Sequence, residues 1–278
     1  MRLRLCTVLA SFFVIALIFA ADRYEIRPGE HPAGINKYYM GRQIAHVVSG
    51  NENALWLERP EREKEEQTTE MIELLNLKPG DVAADIGAGT GYITWRMARK
   101  VAPNGKVYAQ EVQQEMLDMV AENMKKRGVT NVIFTLGTST DAKLPTNALD
   151  LIIMVDVYHE FDHPYEMGES LVRALKPGGR LVFVEFRKED PNVPIYEPHK
   201  MSEAQVKKEM AVFPLEHSQT ITNLPWQHVI VFKKVGKNVR SDVDLQSAPK
   251  VDSLPARPAR VRIENTSANS FPAAPSPK

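Results

Sequence analysis

Three places in the chain gather residues that can do chemistry. The first is Asp85-Ile86-Gly87-Ala88-Gly89-Thr90-Gly91. Glycines at alternate positions let a backbone bend sharply and meet a ligand without a Cβ in the way. A helix starting just after such a bend offers unpaired N–H groups and a positive dipole end to an anionic group. About 20 residues beyond Gly91 stands Glu111, a carboxylate placed to accept both hydroxyls of a ribose. Together these residues point to a cofactor that carries a ribonucleoside. A dinucleotide fingerprint, G-x-G-x-x-G, would put its third glycine on Tyr92, so that reading fails by one position. No Gly-Lys-Ser/Thr follows, which excludes a phosphate-binding P-loop.

The second place is Val155-Asp156-Val157-Tyr158-His159-Glu160-Phe161-Asp162-His163, dense in polar groups just past an apolar run. His159 could serve as a base at an ordinary pKa of about 6.5. Glu160 could orient it or bind a cationic acceptor. The alternative is that His159 packs structurally and that Glu160 or Asp162 caps a helix starting at Pro164. Asp156, nearest the end of the apolar run, is expected to touch the cofactor. The third place is Tyr38 to Val48 with Ala54-Leu55-Trp56-Leu57. Tyr39, Arg42, His46 and Trp56 could line an acceptor pocket beneath a lid that excludes water; the plainer reading is an amphipathic helix packed on a sheet. His199, His217 and His228 are scattered without ligand spacing, so no metal site is expected.

These residues need elements to hold them. Val82 to Ile86 reads as a short apolar strand leading into the glycine bend, and Tyr92 to Lys100 as the helix after it. Lys106 to Glu111 is a second strand. Glu115 to Arg127 has Met116, Leu117, Val120 and Met124 at three- and four-residue spacing and ends at Gly128, the pattern of an amphipathic helix. Val132 to Leu136 is a third strand. Leu149 to Val155 is a fourth, apolar at nearly every position as in a strand buried on both faces. Pro164 to Leu175 is helical, Lys176-Pro177-Gly178-Gly179 is a turn, and Arg180 to Glu185 is a fifth strand. Ser202 to Met210 is a short helix, and Glu216 to Ile221 can pair antiparallel with Gln227 to Lys233. Arg59 to Leu75 reads as a charged amphipathic helix with Pro60 near its start, and the run Glu61 to Glu70 as its solvated face. Strands alternating with helices predict a doubly wound α/β sheet with helices on both faces.

Composition narrows the partners. Lys and Arg number 35 against 35 Asp and Glu. That balance argues against a protein that neutralises many phosphates, so no nucleic-acid partner is expected. The single cysteine, Cys6, rules out an internal disulfide framework and a cysteine nucleophile in the body of the chain. The start, Met1-Arg2-Leu3-Arg4, is followed by an uncharged, mostly apolar run to Ala21, which reads as a signal peptide or an N-terminal membrane anchor. Export to the periplasm or medium, or attachment through this segment, is therefore expected over cytoplasmic residence. From Gly236 to Lys278 the chain is rich in Pro, Ala and Ser, a composition that cannot bury enough apolar surface to offset its ordering entropy. The expected organisation is residues 1–21 as signal or anchor, 22–58 as a lid or helical segment, 59–235 as the main domain and 236–278 as a disordered tail.

On Asp85 to Gly91, Glu111 and the succession of strands and helices, the stretch from about Arg59 to Lys234 resembles class I S-adenosylmethionine-dependent methyltransferases. It is similar to the small-molecule branch that includes the ubiquinone/menaquinone C-methyltransferases. The resemblance implies a Rossmann-like seven-stranded sheet, mostly parallel, with its last strand antiparallel. It implies that backbone around Gly87, Gly89 and Gly91 holds the amino-acid part of S-adenosyl-L-methionine. Asp85 would support that loop and Glu111 would hold the ribose. A polar residue after the third strand would sit near the adenine; Thr138 or Asp141 could take that part, with Asp141 favoured. The Lys176 to Gly179 turn is implied to be structural.

In this reading the sulfonium already activates the methyl group, and the protein has to align an acceptor and exclude water. The leading expectation is a methyltransferase acting on a small-molecule or lipid-like acceptor, with His159 and Glu160 as candidate catalytic residues. The alternative is a noncatalytic exported module that binds the cofactor on the same fold. An NAD-dependent oxidoreductase would rest on fold analogy alone.

Overall fold

The computed structural model of the chain describes residues 23–47 and 51–236. The signal or anchor expected over 1–21, with Cys6, and the tail from 237 onward lie outside the described residues. Among the described residues, no helix is long and apolar enough to cross a membrane.

The chain begins with a small antiparallel meander, β1 (Tyr24–Ile26), β2 (Gly34–Tyr39) and β3 (Arg42–Ala45). Short helices α1 (Asn51–Leu57), α2 (Arg62–Glu66) and α3 (Thr68–Leu74) follow. The main domain then alternates: β4 (Val82–Ile86), α4 (Thr94–Val101), β5 (Lys106–Glu111), α5 (Gln114–Lys126), β6 (Val132–Leu136), β7 (Leu149–Val155), α6 (Pro164–Ala174) and β8 (Leu175–Arg187). The two-residue β9 (Lys200–Met201), α7 (Glu203–Met210), β10 (Leu215–Ile221) and β11 (Gln227–Lys234) complete it.

The main sheet runs β10-β11-β8-β7-β4-β5-β6, with β9 added beside β8. Strands β4 to β8 pair in parallel, and β11 lies antiparallel to both β8 and β10. The expected seven-stranded sheet is thus present, with its final strand reversed and one short strand more. Strand order reverses at β4, which has β5 on one side and β7 on the other. That reversal opens a crevice beyond the carboxyl ends of β4 and β7, where open α/β sheets take their ligands.

Both faces of the sheet are covered, as the apolar strands require. From β7, Ile152 and Met154 join one core cluster with Met167 and Leu171 of α6 and Val206 and Met210 of α7. Leu151 and Ile153 point the other way, against Met71 and Ile72 of α3 and Met97 and Val101 of α4. Each of these four β7 side chains is fully buried, so at roughly 1.5–3 kcal/mol per side chain removed from water they contribute heavily to fixing the sheet between its two layers.

Four expectations are corrected. Among the described residues of the segment 22–58, α1 is the only helix, and β1, β2 and β3 occupy much of 24–45. The hairpin between β2 and β3 turns at Met40 and Gly41, both with positive φ (47° and 93°), as a type I′ turn demands. Tyr38, Tyr39 and Ile44 are buried by this meander. The single helix expected over Arg59 to Leu75 breaks at Gln67, which adopts a left-handed conformation (φ 49°, ψ 51°). Nor is Glu61 to Glu70 a solvated face throughout: Arg62 and Glu66 are 5% and 2% exposed. Their burial is tolerated because they pair at i,i+4, Arg62 Nε to Glu66 Oε2 at 2.8 Å, while Arg59 holds Glu66 Oε1 at 2.6 Å. The Lys176 to Gly179 turn lies inside β8 as a bulge, since Leu149 pairs with Leu175 but Leu151 pairs with Arg180.

Candidate active site

A cavity of about 190 Å³ lies at the carboxyl ends of β4, β5 and β7, partly closed by the N-terminal segment. Its floor is the glycine bend. Gly87 and Ala88 donate their N–H groups to the Gln110 carbonyl at 2.9 and 3.0 Å, which anchors the bend to β5. Gly87 (φ 66°) and Gly89 (φ 58°) are in the left-handed region and line the cavity. A Cβ on Gly87 would come within 2.5 Å of Val157 Cγ2, and one on Gly89 within 2.7 Å of Leu57 Cδ1. Gly91 serves a different purpose. Its Cβ would strike Met124 Cε and Val120 Cγ1 at 2.9 and 3.0 Å, so it lets α5 pack closely and does not line the cavity.

Glu111 stands where β5 ends and lines the same cavity. Its Oε1 accepts the Gly89 N–H at 2.9 Å, and its Oε2 accepts the Val112 N–H at 2.9 Å. Burial pushes its carboxyl up, opposed by these backbone donors. A carboxylate offers about four acceptor positions, so both oxygens retain capacity for the vicinal hydroxyls of a ribose. Asp85 sits behind the bend. It accepts the Thr94 hydroxyl at 2.6 Å, tying β4 to the start of α4, and burial raises its pKa to about 7.

The opposite wall comes from the loop after β7. Asp156 holds φ 51°, a strained conformation for a residue with a side chain. Its Oδ2 accepts Gln227 Nε2 at 2.5 Å, while its buried Oδ1 has no protein partner. Burial, with Glu66 and Glu185 facing it, pushes its carboxyl well up. His159 follows on a 3₁₀ turn, Tyr158–Glu160. Its Nδ1 meets Glu185 Oε2 at 2.6 Å, and Glu185 Oε1 accepts the Tyr158 N–H at 3.0 Å. Glu185 is wholly buried. A carboxylate at Nδ1 makes that nitrogen the proton-bearing one and leaves Nε2 with a lone pair. Nε2 lies 3.1 Å from Nδ1 of His199, with Glu160 Oε1 3.9 Å from the first and 3.6 Å from the second. Burial and the neighbouring His159 push the His199 imidazole down to about 3, which keeps it neutral.

The N-terminal segment covers the cavity. Val47, Trp56 and Leu57 line it, whereas Tyr39, Arg42 and His46 do not. Arg42 holds Glu209 at 2.7 Å and donates to the His159 carbonyl at 3.1 Å, so it supports the wall from behind. Glu58 accepts the Thr90 hydroxyl at 2.7 Å, and Arg62 donates to the Leu57 carbonyl at 2.8 Å. The first contact docks the cover on the glycine bend, and the second braces the cover from within.

Of the residues singled out from sequence, the fold brings Gly87, Gly89, Glu111, Asp156, His159 and Glu160 to one cavity. Asp85 and Gly91 lie behind it. Asp141 is turned away: it accepts from Ser170 Oγ at 2.8 Å, the Lys143 N–H at 2.9 Å and Arg173 at 3.2 Å, which fastens its loop to α6. Ser139, two residues earlier, lines the cavity instead. Sequence reasoning misses His199 and Glu185. A charged residue within the apolar strand Leu181 to Phe186 was the available signal for Glu185; His199 gave none.

Residues 77–237 match a family model described as a methyltransferase domain. Among curated proteins, the chain is 33% identical over 118 residues to the ubiquinone/menaquinone biosynthesis C-methyltransferase UbiE of Ectopseudomonas mendocina (strain ymp), a match covering 42% of this chain and 46% of that protein. It is 32% identical over 123 residues to the protein of the same name from Pseudomonas aeruginosa (strain LESB58), covering 44% and 48%. The chain thus spans about half the length of these relatives. Among solved structures, a SAM-dependent methyltransferase from Aquifex aeolicus shares the fold, with a TM-score of 0.64 at 24% identity over 68% of this chain and all of that one.

Proposed function

The chain belongs to the methyltransferase domain family, as a class I S-adenosylmethionine-dependent methyltransferase, and from that premise we propose that it methylates a small apolar molecule bearing an ionisable hydroxyl. The observation that carries the reading is the layout of the cavity. A side-chain-free glycine cradle and Glu111 stand at one end, and His159 and Glu160 at the other. The cradle fits the cofactor in that Gly87 and Gly89 line the cavity as bare backbone beside Glu111, with Val157 and Leu57 packed against the bend where Cβ atoms would otherwise stand. Glu111 would hold the ribose, and the unpartnered Asp156 Oδ1 would accept from the ammonium of the amino-acid part. The bound cofactor supplies a methyl group on a sulfonium, already activated for transfer.

What this chain's residues add is placement, dryness and a proton acceptor. Phe161, Met167 and Phe186 give the acceptor end an apolar lining. Trp56 and Leu57 close it from above, which excludes water. His159 Nε2, oriented by Glu185 on the other ring nitrogen, is the atom placed to take a proton from the acceptor hydroxyl. An ionised hydroxyl enriches the acceptor in electrons, whether a ring carbon or the oxygen itself receives the methyl group. The curated relatives are named for methylation at carbon in ubiquinone and menaquinone biosynthesis, which favours phenols and quinols as first acceptors to try. The test is transfer of a labelled methyl group from S-adenosylmethionine to a panel of phenols and quinols. Label should enter the organic product in wild type and fall at least tenfold in His159→Asn. Absence of transfer to every member, together with no binding of S-adenosylhomocysteine, would refute the reading.

The N-terminal segment supports a further proposal about place. Its basic start and apolar run favour delivery of the domain across or onto a membrane, and fractionation of cells expressing the full chain tests this.

A further inference from the structure

The far wall of the cavity holds more than a proton acceptor. His159 Nε2, His199 Nδ1 and Glu160 Oε1 form a triangle with sides of 3.1, 3.6 and 3.9 Å. The point equidistant from its corners lies about 2.1 Å from each, which matches metal–nitrogen and metal–oxygen bond lengths for a divalent transition metal. The ligand atoms of the three residues all lie within 4.8 Å of one another. All three residues line the cavity.

A second observation points the same way. His159 Nδ1 is 2.6 Å from the wholly buried Glu185, whose other oxygen is held by the Tyr158 N–H. A carboxylate behind a histidine is the usual partner of a metal-bound imidazole: it fixes the tautomer, aims the second nitrogen and raises its basicity. Two imidazoles and one carboxylate suit zinc, iron or their neighbours better than magnesium or calcium, which prefer all-oxygen sites. Three protein donors leave at least one position open.

We propose that His159, Glu160 and His199 bind one divalent transition-metal ion through Nε2, Oε1 and Nδ1, with an open position facing the cavity for an anionic oxygen ligand. The site stands on these distances and on Glu185, and methyl transfer is not needed for it. If the methyl-transfer reading also holds, the ion would lower the pKa of a bound acceptor hydroxyl, whose proton leaves to solvent water because His159 Nε2 is then occupied as a ligand.

The test uses the untagged full chain, stripped with a chelator and titrated with Zn(II) by calorimetry and with Co(II) by visible absorption. One ion per chain should bind at micromolar or tighter dissociation constant. The Co(II) bands should shift when catechol is added, reporting an oxygen ligand in the open position. His199→Ala should weaken Zn(II) binding at least 100-fold, and Glu185→Gln should weaken it 10- to 100-fold. His217→Ala, whose ring meets Thr220 and Phe232 and does not line the cavity, should leave it unchanged. Should His199→Ala fail to fold, Glu160→Gln carries the same expectation. A folded wild type that takes up no stoichiometric ion overturns the proposal and leaves a hydrogen-bonded histidine pair only; so does binding that survives loss of His199 and Glu160. Titration with S-adenosylhomocysteine in parallel separates the two readings. Cofactor binding without metal binding defeats this proposal alone, and metal binding without cofactor binding defeats methyl transfer alone.

Discussion

Glu111 Oε1 accepts the N–H of Gly89 at 2.9 Å, so the acid at the tip of β5 and the glycine bend after β4 form one hydrogen-bonded unit. The two are 22 residues apart in the chain, and parallel pairing of β4 with β5 brings them together. The bend is thereby held in a left-handed conformation before any ligand arrives. Pre-ordering of this kind lowers the entropy cost of binding.

Glycines 89 and 91 should fail differently. Gly89→Ala places a methyl group against Leu57 at a position with φ 58°, and should cost about 1–3 kcal/mol of stability from backbone strain. It should also weaken S-adenosylhomocysteine binding at least tenfold. Gly91→Ala should cost a similar amount, since its methyl meets Met124 and Val120, but folded protein should keep its affinity. Calorimetric binding and urea unfolding on both variants check the contrast.

Glu66 pairs with the buried Arg62 and also with the half-buried Arg59, which Glu65 holds as well at 2.8 Å. Glu66→Ala should therefore destabilise the protein by about 3–5 kcal/mol, the usual cost of stranding a buried charge. Because Arg62 also holds the Leu57 carbonyl, cofactor affinity should fall with it. Replacing both partners, Arg62→Met with Glu66→Leu, should recover most of the stability but not the affinity. Denaturant melts and calorimetry separate the two effects.

Asp85 titrates with pKa of about 7 in the folded chain against an ordinary value of 3.8. A folded state that holds its proton more tightly is favoured at low pH. This contribution is complete below about pH 3.8, declines as pH rises, and is lost once pH passes about 7. Asp85→Asn keeps an acceptor for the Thr94 hydroxyl and removes the titration. The variant should show a flatter dependence of unfolding free energy on pH between about 4 and 7, and be the more stable of the two above 7. Unfolding curves across this range supply the check.

Much of the fold is legible in the residues themselves, for identifiable reasons. Strands β4, β5 and β7 announce themselves because a sheet covered on both faces needs apolar side chains at successive positions. The glycine bend is legible because few other residues tolerate φ of 58–81°. The hairpin of β2 and β3 is harder to read. Gly41 is its only strong turn signal, and Tyr-Tyr-Met-Gly-Arg-Gln-Ile suits a helix face as readily as a strand. The break at Gln67 carries no Gly or Pro. There Glu63 accepts the Thr68 hydroxyl and the Thr69 N–H, a cap from the preceding helix that no local pattern announces. In the site, Asp141 offers the right chemistry but spends it on α6, and Ser139 takes its place at the cavity. His199 stands 40 residues from His159 and meets it only because β9 returns beside β8. No periodicity within either segment encodes that contact.

The most direct test of the central claim is calorimetric titration of S-adenosylhomocysteine into wild type and Glu111→Ala, with circular dichroism confirming that both are folded. Wild type should bind one molecule per chain, and the variant should bind at least tenfold more weakly, in line with loss of hydrogen bonds to a charged group at about 1.5–3 kcal/mol. Equal affinity in the two proteins, or no binding by folded wild type, would contradict the account.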